Sequence, residues 1–289
     1  MFEGSAVALV TPFKDGKLDK EKFEKLIEFQ IKEGTDVLLF CGTTGESATL
    51  THEEQRDVIK VGVEIVNKRV PVLAGAGSNS TAEAVRLTRF AMEAGADGVL
   101  SVVPYYNKPT QQGLYLHFEA VAKEAGDFPI VLYNVPGRTV ASIAPETVAR
   151  LFKIPNIIAI KEASGSLEQV SKIKELCDIT VLSGDDALTL PMMKIGAKGV
   201  VSVAANVAPR DVADMVHAFN NNDLELAEKL HNKLMPLFDI MFIETNPIPV
   251  KTSLALMGMI NKDFRLPLCD LMPENEEKLK QELKDYGLI

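Results

Sequence analysis

Eight short apolar runs, rich in β-branched residues, recur along the 289-residue chain, and each is followed by a segment with helical patterning. They cover residues 6–10, 37–41, 70–74, 98–103, 130–133, 157–160, 179–182 and 199–203. Their spacing of roughly 20–33 residues is the length of one strand–helix unit. Several runs, such as Val37-Leu38-Leu39-Phe40 and Ile157-Ile158-Ala159-Ile160, are apolar throughout instead of alternating. Strands buried on both faces read this way, as in a parallel sheet covered by helices. Eight such units predict a closed (β/α)8 TIM barrel. An open doubly wound sheet is the second possibility, because periodicity does not prove closure.

The segments between the runs carry helix signals. In residues 19–33, Phe23, Leu26, Ile27 and Ile31 recur at helical spacing and Gly34 supplies a stop. Thr51-His52-Glu53-Glu54 and Ser80-Thr81-Ala82-Glu83 both match the capping-box pattern. Gly95, Gly126 and Gly196 fall at helix ends, and Pro145 and Pro209 at helix starts. Beyond an eighth helix at 209–220, residues 223–242, 246–259 and 273–286 are predicted helical with no strand between them. The chain is therefore expected to divide into a catalytic barrel, residues 1–224, and a C-terminal helical domain, residues 225–289. The boundary falls at Asn220-Asn221-Asn222-Asp223.

Composition narrows the function classes. A chain of this length buries about 75% of its unfolded surface, so disulfides or a structural metal are not needed for stability. Lys and Arg total 31 against 40 Asp and Glu, a net charge of −9. That balance argues against broad binding to nucleic acid or anionic membranes. It leaves room for an anionic small substrate held by a few local cations. Cys41, Cys177 and Cys269 are scattered and odd in number, as expected of a reducing, cytoplasmic setting. His52, His117, His217 and His231 have no zinc-ligand spacing. No basic leader and no apolar run approaching 18 residues is present, so neither a signal peptide nor a membrane span is expected.

In a parallel barrel, chemistry collects where strands exit at their C-terminal ends. Lys161 directly follows the sixth run and is read as the end of that strand. It is either a strand-end lysine paired with a carboxylate such as Glu162, or a desolvated amine used as a nucleophile. For an amine of ordinary pKa the neutral form at pH 7 costs about 4.6 kcal/mol, and burial lowers that cost. Such an amine forms Schiff bases with carbonyl substrates. Tyr133 and Tyr106, at the fifth and fourth exits, are rim residues or proton carriers, with Thr43 close enough in barrel order to link them. The Gly42-Thr43-Thr44-Gly45-Glu46 loop is either a tight turn or a small-carboxylate cradle. Arg138 is a carboxylate clamp or a surface ion-pair partner. Gly75-Ala76-Gly77 reads as a turn, and Asp185-Asp186 is explained more simply by a helix N-terminus than by a metal.

These stretches, in this order and spacing, resemble the dihydrodipicolinate synthase family over essentially the whole chain. The match rests on Gly42-Thr43-Thr44-Gly45-Glu46-Ser47, Pro104-Tyr105-Tyr106-Asn107-Lys108-Pro109, Tyr133-Asn134-Val135-Pro136-Gly137-Arg138-Thr139, Lys161-Glu162-Ala163, Ser183-Gly184-Asp185-Asp186 and Glu244-Thr245-Asn246-Pro247-Ile248-Pro249-Val250-Lys251. The resemblance implies a class I aldolase-type condensation of pyruvate with L-aspartate 4-semialdehyde on the lysine pathway, without metal or organic cofactor. It implies a Schiff base on Lys161 and a proton relay of Tyr133, Thr43 and Tyr106, the last supplied by an adjacent subunit. Thr44 would bind the pyruvate carboxylate and Arg138 the semialdehyde carboxylate, with the backbone of Gly184 and Val201 near the site. A homotetramer of tight dimers is implied too. N-acetylneuraminate lyase and other pyruvate-dependent aldolases share the lysine, the tyrosine and the loop; Arg138 within Pro-Gly-Arg-Thr and the Tyr105-Tyr106 pair favour the dipicolinate branch. A binding-only descendant would have lost the lysine or the relay, and neither is lost. Members inhibited by L-lysine bind it at positions matching Ser47, Ala48, His52, Asn79, Glu83 and Tyr105. Gln55 departs from a histidine present in some sensitive members.

Overall fold

The computed structural model describes residues 1–289. All eight apolar runs are strands: β1 (Gly4–Ala8), β2 (Val37–Phe40), β3 (Val72–Gly75), β4 (Gly98–Val102), β5 (Ile130–Asn134), β6 (Ile157–Glu162), β7 (Thr180–Ser183) and β8 (Gly199–Ser202). Each pairs in parallel with its neighbours in chain order, and β8 closes onto β1 through Gly4 opposite Gly199 and Ala6 opposite Val201. Closure decides for the TIM barrel over the open sheet.

Each strand differs from its apolar run by one or two residues at one end or both, and for two of them the cause is hydrogen bonding. The first strand ends at Ala8 because the Val10 amide donates to the Asn206 side chain at 3.1 Å instead of to a neighbouring strand. The third begins at Val72, since Pro71 has no N–H to give to a ladder.

Helices α1 (Lys20–Lys32), α2 (His52–Val66), α3 (Thr81–Glu93), α4 (Gln111–Ala125), α5 (Pro136–Thr139), α6 (Pro145–Leu151), α7 (Leu167–Leu176), α8 (Thr189–Lys194) and α9 (Pro209–Asn220) follow the strands. Thr51 closes the expected capping box on α2. The second expected box does not form. Ser80 makes no side-chain cap on α3, because the Glu83 carboxylate is drawn instead to the Ser78 hydroxyl and to His52. Helices α10 (Leu224–Ile240), α11 (Ile248–Leu256) and α12 (Pro273–Tyr286) complete the chain. No helix is long and apolar enough to cross a membrane.

Alternation along each strand sorts side chains into two cores. Ala6, Leu39, Leu73, Val131, Tyr133, Ala159, Leu182 and Val201 fill the barrel interior, with Phe2 at the end where the strands begin. Val7, Leu38, Val99, Leu132 and Ile160 face the helical shell. Leu234, Leu237, Phe238, Val250, Leu254, Leu279 and Leu283 of α10–α12 join that outer core. The appended helices are thereby held against the barrel, and the segment between α10 and α11 reaches its open end.

Candidate active site

Strand alternation decides where the sixth exit points. Lys161 follows Ala159 at a two-residue interval, so it faces the barrel interior, whereas Glu162 follows Ile160 toward the helices. The register sets Lys161 directly between Tyr133 on β5 and Leu182 on β7. Lys161 is 6% exposed, and its Nζ lies 4.4 Å from the centroid of the Tyr133 ring. The carboxylate-paired reading of this lysine does not hold. Glu162 is fully buried on the other face, accepting from the Asn134 side chain at 2.9 and 3.1 Å and from the Ser164 amide at 2.8 Å. Burial pushes the Glu162 carboxyl above its ordinary range, against those hydrogen bonds.

Gly184, at the β7 exit, makes the room Lys161 occupies. A Cβ there would lie 2.9 Å from Lys161 Cε and 2.6 Å from Ala163 Cβ. Asp186 does not cap the helix that follows it. Its Oδ2 accepts from the Val203 and Ala204 amides at 2.9 and 3.0 Å, tying the β7 exit to the β8 exit. Asp185 takes the local role, accepting from the Leu188 amide at 3.3 Å.

A cavity of about 160 Å³ opens above Lys161, and Thr43, Thr44, Tyr133, Arg138 and Gly184 line it with the lysine. Residues from four strand exits, β2, β5, β6 and β7, thus meet in one place. Val201 lies in the barrel interior, and Val203 lines the cavity instead. Tyr106 does not reach the cavity. It is 88% exposed, at the left-handed φ of +74°.

Two lining residues lie outside the strand exits read from the sequence, Phe242 and Asn246, and Asp185, read there as a helix N-terminus, lines the cavity too. Asn246 is the most connected. Its Nδ2 donates to Thr44 Oγ1 at 3.0 Å, and its carbonyl accepts from Arg138 at 3.2 Å. The only sequence signal for it was its place within Glu244-Thr245-Asn246-Pro247.

The second cavity, about 410 Å³, shares Gly42, Thr43, Tyr133 and Arg138 with the first. Ser47, Ala48, His52, Glu83 and Tyr105 line it; Asn79 does not. His52 Nε2 is 3.0 Å from Glu83, whose carboxylate also lies 3.5 Å from Arg86. Gln55 is buried and donates to the Gly75 carbonyl at 2.7 Å, tying α2 to β3.

The geometry joins an interior lysine, a phenol, two hydroxyls and a guanidinium around a space for a small carboxylate. Comparison with known proteins places the chain in a family. The model of the dihydrodipicolinate synthetase family matches residues 1–286. The 4-hydroxy-tetrahydrodipicolinate synthases of Syntrophus aciditrophicus and Geobacter sulfurreducens are 57% and 58% identical, each aligned over 100% of both chains. The crystal structure of dihydrodipicolinate synthase from Aquifex aeolicus superposes with a TM-score of 0.98 at 52% identity, covering 99% of each chain. Similar structures include the Acinetobacter baumannii enzyme complexed with pyruvate (TM-score 0.97, 46% identity, 100% of each chain). The Cyanidioschyzon merolae enzyme with lysine bound is another (TM-score 0.96, 43% identity, 100% of this chain and 99% of that one). The chain belongs to the dihydrodipicolinate synthase family.

Proposed function

We propose that the chain condenses pyruvate with L-aspartate 4-semialdehyde to 4-hydroxy-tetrahydrodipicolinate through a Schiff base on Lys161. The observation that carries this reading is an interior lysine with no carboxylate within 4.0 Å of its amine, placed against Tyr133 in a cavity that also holds Thr43, Thr44 and Arg138. The neutral Lys161 amine adds to the pyruvate carbonyl and water leaves, giving the imine. Loss of a methyl proton gives the enamine, whose carbon attacks the semialdehyde carbonyl. The amino group of the second substrate then attacks the imine carbon, closing the ring and releasing Lys161. Each step moves a proton, and Tyr133, Thr43 and Tyr106 are assigned to carry them. Thr44 and the turn that holds it bind the pyruvate carboxylate, and Arg138 the carboxylate of the second substrate. Gly184 gives the lysine its space.

The reading includes a homotetramer of tight dimers in the cytoplasm; three unpaired cysteines suit that compartment. It extends to inhibition by L-lysine at the second cavity, where Glu83 offers a carboxylate to an ammonium group. The similarity to a relative crystallised with lysine supports this extension. N-acetylneuraminate lyase activity is the weaker alternative, since the full-length relatives at 55–58% identity carry the synthase name.

Borohydride reduction in the presence of pyruvate tests the central claim. Peptide mass analysis should find the reduced adduct on Lys161 alone, and Lys161→Ala should be inactive. An unlabelled Lys161 or an active alanine variant would sink the mechanism. Steady-state assays with aspartate semialdehyde, N-acetylneuraminate and added L-lysine decide the substrate and the inhibitor.

A further inference from the structure

We propose that the buried Lys251–Glu46 ion pair is a positioning device, through which helix α11 holds the Thr43–Thr44 turn in shape for the pyruvate carboxylate. The inference rests on the Schiff-base reading above and adds two residues to it.

Both side chains of the pair are 0% exposed. Full burial of two charges is a poor route to stability, since an apolar pair of the same volume does as well or better. What such a pair supplies is a single geometry, because every other arrangement leaves a charge unpaired. Here both partners are bonded further into the fold. Lys251 Nζ donates to Glu46 and to the Asp263 carbonyl at 2.7 Å, and rests over the rings of Phe13 and Phe264 at 4.5 and 5.2 Å. The second Glu46 oxygen accepts from the Arg265 amide at 3.2 Å.

Glu46 is the closing residue of the turn that carries the two threonines. It takes a left-handed φ of +53°, and its amide donates to the Thr43 carbonyl at 3.0 Å. The Gly45 amide donates to Gly42 at 3.1 Å, while the Gly45 carbonyl accepts from the Thr11 hydroxyl at 2.7 Å. Fixing the Glu46 side chain therefore fixes a turn whose backbone is already closed on itself. The head of the same α11 segment provides the second hold, Asn246 Nδ2 on Thr44 Oγ1 at 3.0 Å. That bond occupies a lone pair of the Thr44 oxygen and leaves its proton to donate to a bound anion. Outside the pair, the Arg265 side chain grips Glu54 with two bonds of 2.6 and 2.7 Å, so the lock extends to the start of α2.

The test compares Glu46→Gln, Lys251→Met and the double variant. Glu46→Gln keeps the shape and an acceptor oxygen, and the double variant removes both charges, so neither leaves a buried carboxylate alone. A positioning role requires the pyruvate KM of the single variants to rise at least about tenfold, with kcat falling less and the KM for the semialdehyde held within about twofold. The double variant should be no worse than the poorer single, the signature of residues that act as one unit. The half-saturating pyruvate concentration for borohydride trapping should rise in parallel. Folded variants with wild-type pyruvate KM and only a lower Tm would overturn the inference and leave the pair a stability feature. A wild-type enzyme that fails to trap pyruvate on Lys161 would overturn the Schiff-base reading itself, a different result from unchanged variants beside a normal wild type.

Discussion

A methyl group at position 184 would meet two side chains at once, Ala163 Cβ at 2.6 Å and Lys161 Cε at 2.9 Å. Gly184 has no left-handed φ, so alanine is tolerated by the backbone there and strained only by contact. Ala163 Cβ has no freedom to yield, so the flexible end of Lys161 is what gives way, one bond from the proposed nucleophile. Gly184→Ala should therefore fold with a lowered Tm from the Ala163 contact, lose about a hundredfold in kcat/KM and trap pyruvate more slowly, as misplacement of a reacting group by about 1 Å does. Near-normal turnover would show that the lysine reaches its substrate by another path. Lys161 itself was legible in the sequence because the residue directly after a buried apolar run in a parallel barrel sits at the functional face, and strand period fixes which side it takes. Asn246 and Lys251 were not legible by that route. They come from a helical appendage with no period of its own to aim them, and their partners Thr44 and Glu46 are about two hundred residues earlier.

At the scale of elements, local signals held where the tertiary contacts agreed with them. The capping box of Thr51 and Glu54 forms within one turn of chain. The matching pattern at Ser80 and Glu83 fails because the carboxylate is taken by the Ser78 hydroxyl just upstream and by His52 of a neighbouring helix, the second a contact no local reading contains. The interface of α3 and α4 carries a similar non-local feature. His117 Nδ1 meets the Thr81 hydroxyl at 2.9 Å, and its Nε2 is buried with no partner. Burial pushes its pKa down to about 4. The folded state thus prefers the neutral ring, and the stability this represents is fully present above the ordinary histidine pKa. It is lost as pH falls from about 6.5 through 4, because the unfolded chain takes up the proton first, a loss of about 3 kcal/mol. His117→Gln has no proton to gain there. Its stability relative to the parent should rise by about that amount between pH 7 and pH 4, read by denaturant titration at each pH. A gap that stays constant with pH would mean the ring is solvated.

At the scale of the whole molecule, one chain does not hold the complete proposed relay. The eight repeats were legible in the sequence but their closure was not, since it rests on pairing of the first strand with the last, and the net charge of −9 places the burden of binding two carboxylates on local groups. Tyr106 is the residue left over. It is 88% exposed, and it stands outside the cavity that holds Tyr133, Thr43 and Lys161. Non-glycine residues in the left-handed region cost about 1–3 kcal/mol and persist where something outside the residue requires them. A second copy of the chain meeting this surface about a two-fold axis would return the same tyrosine to each neighbour, since a two-fold interface is reciprocal. Complementation between two inactive variants tests that arrangement. Lys161→Ala keeps Tyr106 but has no nucleophile; Tyr106→Phe keeps the nucleophile but has no phenol. In a mixed pair, the Tyr106→Phe subunit supplies Lys161 and its Lys161→Ala neighbour supplies the phenol, so one of the two sites is whole. After denaturation and refolding together in equal amounts, random pairing should restore about a quarter of wild-type sites, because half the pairs are mixed and each has one intact site. The variants refolded separately should restore none. Activity in the mixture no greater than the sum of the two alone would place Tyr106 outside the relay, or return it to its own chain's site.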